Sequence, residues 1–380
     1  MKVLRVYHSS VVTGWRERDR LLRQAGAEVT LVSPRRWNEG GADVELTDAE
    51  PWVVPARSFG RHPYAFVLDP RPIVRLLRRN RFDVIDVHEE PASLVALELR
   101  VLSWINHHRA PMLFYGAQNL EKRFPIPFRW IEKGSLRRAR AAYPCNDAAG
   151  AIYRRKGFRG IVRTLPLGVE LERFAPATAT TAPRETGVFR LGYVGRLEEH
   201  KGVQVVLDAL VGLDDVVLEL CGDGSHRAAL EAQARRLGIV ERITFCGFTT
   251  HDALPARYRS FDAVVIPSQT RANWVEQYGR VAVEAMASGV PVLAAASGAL
   301  PDVIGDAGIL LPEADVASWH TAIRTLADDP RQRDQLRRAG LERAQRSSWR
   351  SVAEEHAYLY AEVCAASLLN VPGHLRTVLG

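Results

Sequence analysis

The feature that most constrains this chain is an alternation of short β-rich runs with helical segments that runs its course and then begins again. The runs "KVLRVY", "EVTLVS", "DVIDVH" and "PMLFY" are separated by helical patterns such as "WRERDRLLRQAG" and "ASLVALELRVLSWI". Such alternation specifies a parallel sheet covered by helices on both faces. After "PLGVELERF" comes "APATATTAPRETG", rich in Ala, Thr and Pro and without apolar patterning, which reads as a linker. A second series follows: "FRLGYVG", "VVLELCG", "RITFCG", "DAVVIPS" and "PVLAA". Residues 313–364 then read as consecutive helices. The expected organisation is an α/β doubly wound domain over 1–170, a linker over 171–187, a second Rossmann-like domain over 188–350, and a helix and tail over 351–380 that crosses back to the first domain. Two such domains in tandem would place a ligand cleft between them, at the carboxyl ends of the strands.

Composition excludes several classes. At 380 residues, 47% hydrophobic and 25% charged, the chain has enough apolar content for two cores. No apolar run approaches the roughly 20 residues needed to span a bilayer, and "MKVLRVYHSS" reads as a first strand rather than a signal peptide, so a cytoplasmic location is expected. The four cysteines, Cys145, Cys221, Cys246 and Cys364, stand singly, which argues against a disulfide framework or a zinc site. Neither G-x-G-x-x-G nor G-x-x-x-x-G-K-[ST] occurs, so dinucleotide reduction and P-loop hydrolysis lose support.

The loops after the strands of the second series hold the chemistry. In "WVEQYGRVAVEAMASGVPV" the apolar run from Val281 to Ala287 reads as a short buried helix that ends at Gly289 and begins at Gly279. A glycine at the helix start lets the chain turn tightly and exposes the N–H groups of Gly279, Arg280 and Val281, which is a seat for a phosphate. Glu276 precedes the seat and Glu284 lies about one turn inside the helix, so both can reach one ligand rich in hydroxyls. Alternatively Glu276 is a solvated loop residue and Glu284 an ordinary helix glutamate. "YVGRLEEHKG" puts Arg196 and Lys201 after the first strand of the same domain, where two cations suit a diphosphate. Surface charge is the competing explanation in a chain with 51 Lys and Arg.

Together "GRLEEHKG", "GDGSHRAALE", "FCGF", "DAVVIPS" and "EQYGRVAVEAMASGVPVLAAASGALPDVIGDAGILL" resemble, in order and spacing, the donor domain of retaining nucleotide-sugar glycosyltransferases of the GT-B fold, glycosyltransferase family 4. The first half resembles the family through "DVIDVHEEP", "AQNLEKRFPIPF" and "PLGVELERF". The resemblance implies transfer of a hexose-type sugar from a UDP- or GDP-sugar, with retention at the anomeric carbon and no cofactor or metal. It implies that Arg196 and Lys201 hold the donor diphosphate and that Glu276, with the backbone of Gln277, Tyr278, Gly279, Arg280 and Val281, holds the donor sugar. Glu284 would then bind the ribose hydroxyls, with Gly247 and Phe248 against the base. A nucleotide-sugar epimerase of similar fold and a non-catalytic sugar-nucleotide-binding module are the alternatives.

The sequence also departs from the family pattern. Many members carry a double glycine where this chain has Thr13-Gly14, so only Gly14 can let backbone approach the donor phosphate. Many place a histidine where this chain has Ala117, which leaves Gln118 and Asn119 to orient the acceptor. His88, at the end of "DVIDVH", is a candidate catalytic and acceptor-side group, although a strand-end histidine serves as often in a structural hydrogen bond. No D-x-D run stands in a cleft loop to hold a divalent ion.

Charge is divided unequally. Residues 1–175 hold 30 of the Lys and Arg against 19 of the Asp and Glu, a net of +11, and the remainder carries −4. "RPIVRLLRRNRF" sets Ile73, Leu76 and Leu77 against Arg75, Arg78 and Arg79. Such a stripe suits a phosphate-bearing or lipid-linked acceptor, or peripheral contact with the anionic inner face of a membrane. An ordinary surface helix packed on the sheet is the competing explanation. No nucleic-acid-binding motif accompanies the charge.

Overall fold

The computed structural model describes residues 1–39, 42–176 and 187–369. The expected linker, 171–187, and the tail beyond residue 369 lie in large part outside the described residues. The chain forms two compact units, residues 1–166 with the segment from Trp349 onward, and residues 167–348.

The first unit is built on seven strands: β1 (Lys2–Val6), β2 (Glu28–Pro34), β3 (Val53–Ala56), β4 (Val84–Val87), β5 (Met112–Gly116), β6 (Ala139–Pro144) and β7 (Ile161–Val162). They pair in parallel in the order β7-β6-β5-β4-β1-β2-β3. All four residues of β4 are buried, and so are Val3 to Val6 of β1, as expected of strands covered on both faces. Helices between the strands start at capping side chains: Asp69 accepts from Arg71 N before Pro70–Arg79, and Ser93 from Ala96 N before Leu94–Ile105. The last helix, Trp349–Leu369, packs Leu359, Tyr360 and Val363 against Val3, Val84, Leu113 and Tyr143 and so closes one face of this sheet.

Three of these strands escape the sequence pattern. The edge strand β3 contains Pro55, which removes a ladder donor and is tolerated only at an edge. The run "ARAAYP" of β6 is alanine-rich rather than β-branched, and β7 has only two residues.

The second unit carries β8 (Phe189–Val194), β9 (Val216–Cys221), β10 (Ile243–Gly247), β11 (Ala263–Ile266), β12 (Val292–Ala295) and β13 (Ile309–Leu311), all parallel, in the order β10-β9-β8-β11-β12-β13. Its core joins Leu191, Leu218, Val265 and Leu293 of the sheet to Trp319, Ile323 and Leu326 of the helix Val316–Asp328. Residues 313–364 run as three helices, Val316–Asp328, Pro330–Gln345 and Trp349–Leu369, with no strand among them.

In both sheets the order reverses beside the first strand, between β1 and β4 in one unit and between β8 and β11 in the other. Loops that leave the carboxyl ends of such a strand pair diverge to opposite faces and open a crevice. Among the described residues no helix is long and apolar enough to cross a membrane.

Candidate active site

In the second unit the two loops at the reversal point are locked together. Leu191 pairs with Ala263 and Gly192 with Val264, so β8 and β11 release their loops side by side. The β8 loop ends at Gly202, whose φ of 74° is left-handed and whose missing Cβ would stand 1.8 Å from the carbonyl oxygen of Pro267 in the β11 loop. Only glycine permits that approach. Across this contact Lys201 Nζ donates to Glu276 Oε2 at 2.7 Å, and Ser268 Oγ donates to the same oxygen at 3.0 Å. The ammonium also lies 4.6 Å from the centre of the Trp274 ring. The β8 and β11 loops are thereby brought to one point by charge, hydrogen bond and ring.

The helix expected after Gly279 runs Arg280–Ala287, with Gly279 as its N-cap at φ 81°. The N-cap is a glycine and brings no side chain to the first turn, whose leading N–H groups carry the positive end of the helix. A Cβ on Gly279 would meet Leu300 Cδ2 at 2.4 Å, which places the helix start hard against the next helix, Leu300–Ile304. The carbonyl of Glu276 accepts from Ala299 N at 3.0 Å, which fixes the turn before the seat.

Arg196 is exposed at the mouth of the β8 loop and has no ion-pair partner among the described residues, whereas Lys201 is already paired. Tyr193 holds this loop by donating its hydroxyl to the Arg196 carbonyl at 2.7 Å. Glu284 lies inside the helix, buried, and accepts from Tyr258 Oη at 2.8 Å. Burial raises its pKa above the usual carboxylate value even though Arg280 and the tyrosine hydrogen bond favour the charged form. Tyr278 is buried and shares a 2.9 Å hydrogen bond with Ser347 Oγ. Gln277 is exposed, Val281 half-buried, and Gly247 takes φ 70° beside Phe248, which is 79% exposed.

Three contributors lie outside the expected set. Ser268 shares the Glu276 oxygen, Trp274 flanks Lys201, and His200 packs on Trp274 with ring centres 4.1 Å apart. Burial and the neighbouring Lys201 and Arg196 push the His200 pKa below its ordinary value, and its Nε2 has no hydrogen-bond partner among the described residues. The adjacent "HK" in "EEHKG" was the available signal, since neighbours on a glycine-closed loop share one locale.

In the first unit the reversal point also carries a pair. His8 follows β1 and Glu89 follows β4; His8 Nδ1 lies 2.6 Å from Glu89 Oε2, and His8 N donates to Oε1 at 2.8 Å. Burial opposes charge on this ring, but the Glu89 carboxylate and its hydrogen bond outweigh burial, with a further contribution from Glu39, and the pKa is raised. His88 is one residue away in sequence and opposite in character. It stacks on Tyr115 at 4.2 Å, bonds Tyr143 Oη at 3.1 Å, and burial, with Arg18 nearby, drives its pKa well down. The two histidines are thus shifted in opposite directions, His8 toward the charged form and His88 toward the neutral one.

Glu90 accepts from Ala117 N at 2.8 Å, Gln118 N at 3.1 Å and Tyr153 Oη at 2.9 Å, and so ties down the loop that carries Gln118 and Asn119. Gly14 lies in the 3-10 turn Thr13–Arg16. The basic stripe forms the helix Pro70–Arg79, whose Ile73 and Leu77 are buried in the core while Leu76 packs against it. Its apolar side is therefore spent on the core, and Arg75, Arg78 and Arg79, with Arg71, remain outside.

Comparison with known proteins shows the family. Residues 13–173 fit the family model described as Glycosyltransferase Family 4, and residues 182–343 that described as Glycosyl transferases group 1. The D-inositol 3-phosphate glycosyltransferase of Pseudarthrobacter chlorophenolicus is 31% identical over 313 residues, 76% of this chain and 73% of that one. The chain belongs to glycosyltransferase family 4. The enzyme of the same name from Corynebacterium diphtheriae is 32% identical over 231 residues, 55% of this chain and 52% of its own, so here the match spans about half the length of the curated relative. Among solved structures, sucrose-phosphate synthase from Thermosynechococcus elongatus has a TM-score of 0.70 at 20% identity and covers 96% of this chain and 100% of that one. Anabaena Alr3699/HepE in complex with UDP has a TM-score of 0.69 at 20% identity, covering 95% and 100%. At this identity these likenesses speak to fold alone, and the fold is GT-B, two Rossmann-like units with C-terminal helices. Within a family 4 frame, the Lys201–Glu276 contact and the Arg280 helix start occupy the carboxyl ends of the strands of the C-terminal Rossmann-like unit.

Proposed function

We propose that this chain is a retaining, metal-independent glycosyltransferase that moves a hexose from a UDP- or GDP-sugar to a hydroxyl of an anionic acceptor at the cytoplasmic side of a membrane. The observation that carries the reading is the Lys201–Glu276 contact beside the uncapped start of the helix Arg280–Ala287, with Arg196 unpaired nearby. The second unit, residues 167–348, holds the donor. Its diphosphate lies over the N–H groups of Gly279, Arg280 and Val281, and Arg196 and Lys201 take its outer oxygens. Glu276, with the backbone of Gln277 and Tyr278, orients the sugar hydroxyls; Glu284 takes the ribose, and Gly247 and Phe248 lie against the base. That two solved forms of Anabaena Alr3699/HepE carry UDP and UDP-glucose supports a UDP-sugar as donor.

In the transfer step the bond between the anomeric carbon and the diphosphate oxygen breaks, and its electron pair goes to the diphosphate. The acceptor hydroxyl oxygen forms the new bond on the face that the diphosphate leaves, and its proton passes to the departing diphosphate oxygen. The cations and the helix start face the charge that develops on the leaving group and need no rearrangement to meet it, which is where preorganised groups lower a barrier most.

The first unit holds the acceptor near His88, Gln118 and Asn119, with the His8–Glu89 pair alongside. The net +11 of its sequence suits an acceptor that carries phosphate. The curated relatives named as D-inositol 3-phosphate glycosyltransferases support a phosphorylated polyol as one such acceptor, and a lipid-linked phosphate as the membrane-presented form of the same chemistry.

The test is incubation with UDP- and GDP-hexoses, with and without phosphorylated polyol acceptors, followed by NMR of the anomeric centre. Transfer requires acceptor and keeps the anomeric configuration. Interconversion of the sugar without acceptor would make the chain an epimerase, and binding without turnover a module.

A further inference from the structure

A cluster of cations lies within the first unit, at the other end of its sheet from His8 and His88. A cavity of about 900 Å³ in the first unit is bordered by Lys133, Arg137, Arg140, Arg154, Lys156 and Arg159. It opens where β6 and β7 begin, at Ala139, Arg140, Ile161 and Val162. Every strand of this sheet is parallel, so the cavity sits at the amino ends of the strands, the opposite edge from His8 and His88.

Several surface cations of the molecule sit in ion pairs, among them Arg36 with Asp43, Arg155 with Glu121, Arg324 with Asp215 and Arg337 with Asp334. Around the cavity, Arg154 spends one amino group on the carbonyls of Phe158 and Gly160, and Lys156 pairs with Glu132 at 2.6 Å. Lys133, Arg137, Arg140 and Arg159 have no acid or hydrogen-bond acceptor within reach among the described residues. The single lining carboxylate, Glu362, is taken up by Arg163 at 2.8 Å. A cation in the last turn of Phe128–Arg138 is favoured by the helix end, which accounts for Arg137, but Arg140 lies in a strand and Arg159 in a loop. Four like charges gathered on one concavity repel one another, and a ligand that brings the missing negative charge relieves this. Between the cations the half-buried Ile161 and Val162 border the cavity, so the site offers some apolar contact as well as charge.

We propose that this cavity is a second ligand site, separate from the donor site, that takes a molecule bearing clustered phosphate groups. Lys133, Arg137, Arg140 and Arg159 grip the phosphates, and the apolar surface between them receives the less polar part of the ligand. The clustered phosphate can belong to a free polyphosphorylated molecule or to the head group of an anionic lipid, and the two arms of the test separate these sources.

The full chain and a variant with Lys133, Arg137, Arg140 and Arg159 each changed to Gln are titrated with inorganic tripolyphosphate, with and without saturating UDP, and sedimented with phosphatidylglycerol or phosphatidylcholine vesicles. Each charge-assisted contact contributes about a tenfold change in affinity. The native chain is expected to bind tripolyphosphate at one UDP-insensitive site, about 10²-fold or more tighter than the variant, with affinity falling as salt rises. UDP affinity stays the same in both. Sedimentation with phosphatidylglycerol alone, lost in the variant and without tripolyphosphate binding, supports the site and assigns it to a lipid head group. Binding of neither probe, or equal binding by native chain and variant, overturns the proposal. The double variant Arg140→Gln/Arg159→Gln, with both residues exposed, provides the same comparison if the fourfold variant does not fold.

Discussion

Lys201 and Glu276 are 75 residues apart in sequence and 2.7 Å apart in space, and their contact joins the loops that leave β8 and β11. The two residues expected to hold opposite parts of a donor thus also hold each other. With the donor bound, a lysine ammonium has donors enough for both the glutamate and a phosphate oxygen. In the proposed donor complex the pair would set the donor geometry before the donor arrives.

Glu276→Ala is expected to lower kcat by about 10² or more, because the sugar loses its orienting carboxylate and Lys201 its anchor. The side chains of the pair are only 20% and 14% exposed, yet they lie in a loop rather than a core, and the melting temperature is expected to fall by only a few degrees, about 1 kcal/mol. Full activity in this variant would remove Glu276 from the site.

Arg196→Ala and Lys201→Ala each lose on the order of 10² in turnover, since each removes a charged contact to the leaving diphosphate. The two differ in stability: Arg196 has no partner to abandon, whereas Lys201→Ala strands Glu276 and lowers the melting temperature. Turnover is unchanged by EDTA. Its loss on chelation would assign the diphosphate to a metal instead.

Gly279→Ala tests the helix start directly. The left-handed φ of 81° and the 2.4 Å approach to Leu300 Cδ2 together cost about 1–3 kcal/mol and shift the first N–H groups. The expected result is a higher donor KM with acceptor KM unaltered, measured in steady state.

The His8–Glu89 pair gives a pH dependence with a definite sign. The folded pKa of His8 is raised above its ordinary 6.5, so the stability it contributes is fully present below pH 6.5 and is lost as pH rises through the folded value. Melting temperatures measured from pH 6 upward should fall more steeply for the native chain than for His8→Ala. Parallel curves would mean that the ring carries no charge.

Asp86 anchors the last helix to the first sheet. It accepts from Arg18 at 2.8 Å and from Tyr360 at 2.5 Å, fully buried, with Tyr143 donating to its other oxygen. Asp86→Asn is expected to cost about 3–5 kcal/mol by denaturant unfolding, because it leaves the buried Arg5 and Arg18 to share the single carboxylate of Asp19. A loss under 1 kcal/mol would mean that the helix is held by apolar packing alone.

What was legible in the sequence was local. Gly202, Gly279 and Gly289 punctuate loops whose neighbours carry the charges, so Lys201 and Glu276 could be read from spacing and strand ends. The contact between them could not, because it depends on which strands are neighbours. His8 and Glu89, 81 residues apart, are invisible for the same reason. Arg5, Arg16 and Arg18 read as ordinary charges in a basic chain, yet they are buried, each paired with an acid carried by another part of the first unit. The strand β6 was hidden by its alanines, which suit a strand with helices on both faces but lack the β-branched signature.

The most direct test of the central claim is calorimetric titration of UDP and GDP into the native chain, Lys201→Ala and Glu284→Ala, paired with acceptor-dependent turnover of the matching sugar nucleotide. The account predicts one nucleotide site, weakened about tenfold or more in each variant, and release of nucleoside diphosphate only when a phosphorylated acceptor is present. Nucleotide affinity untouched by both substitutions would contradict it.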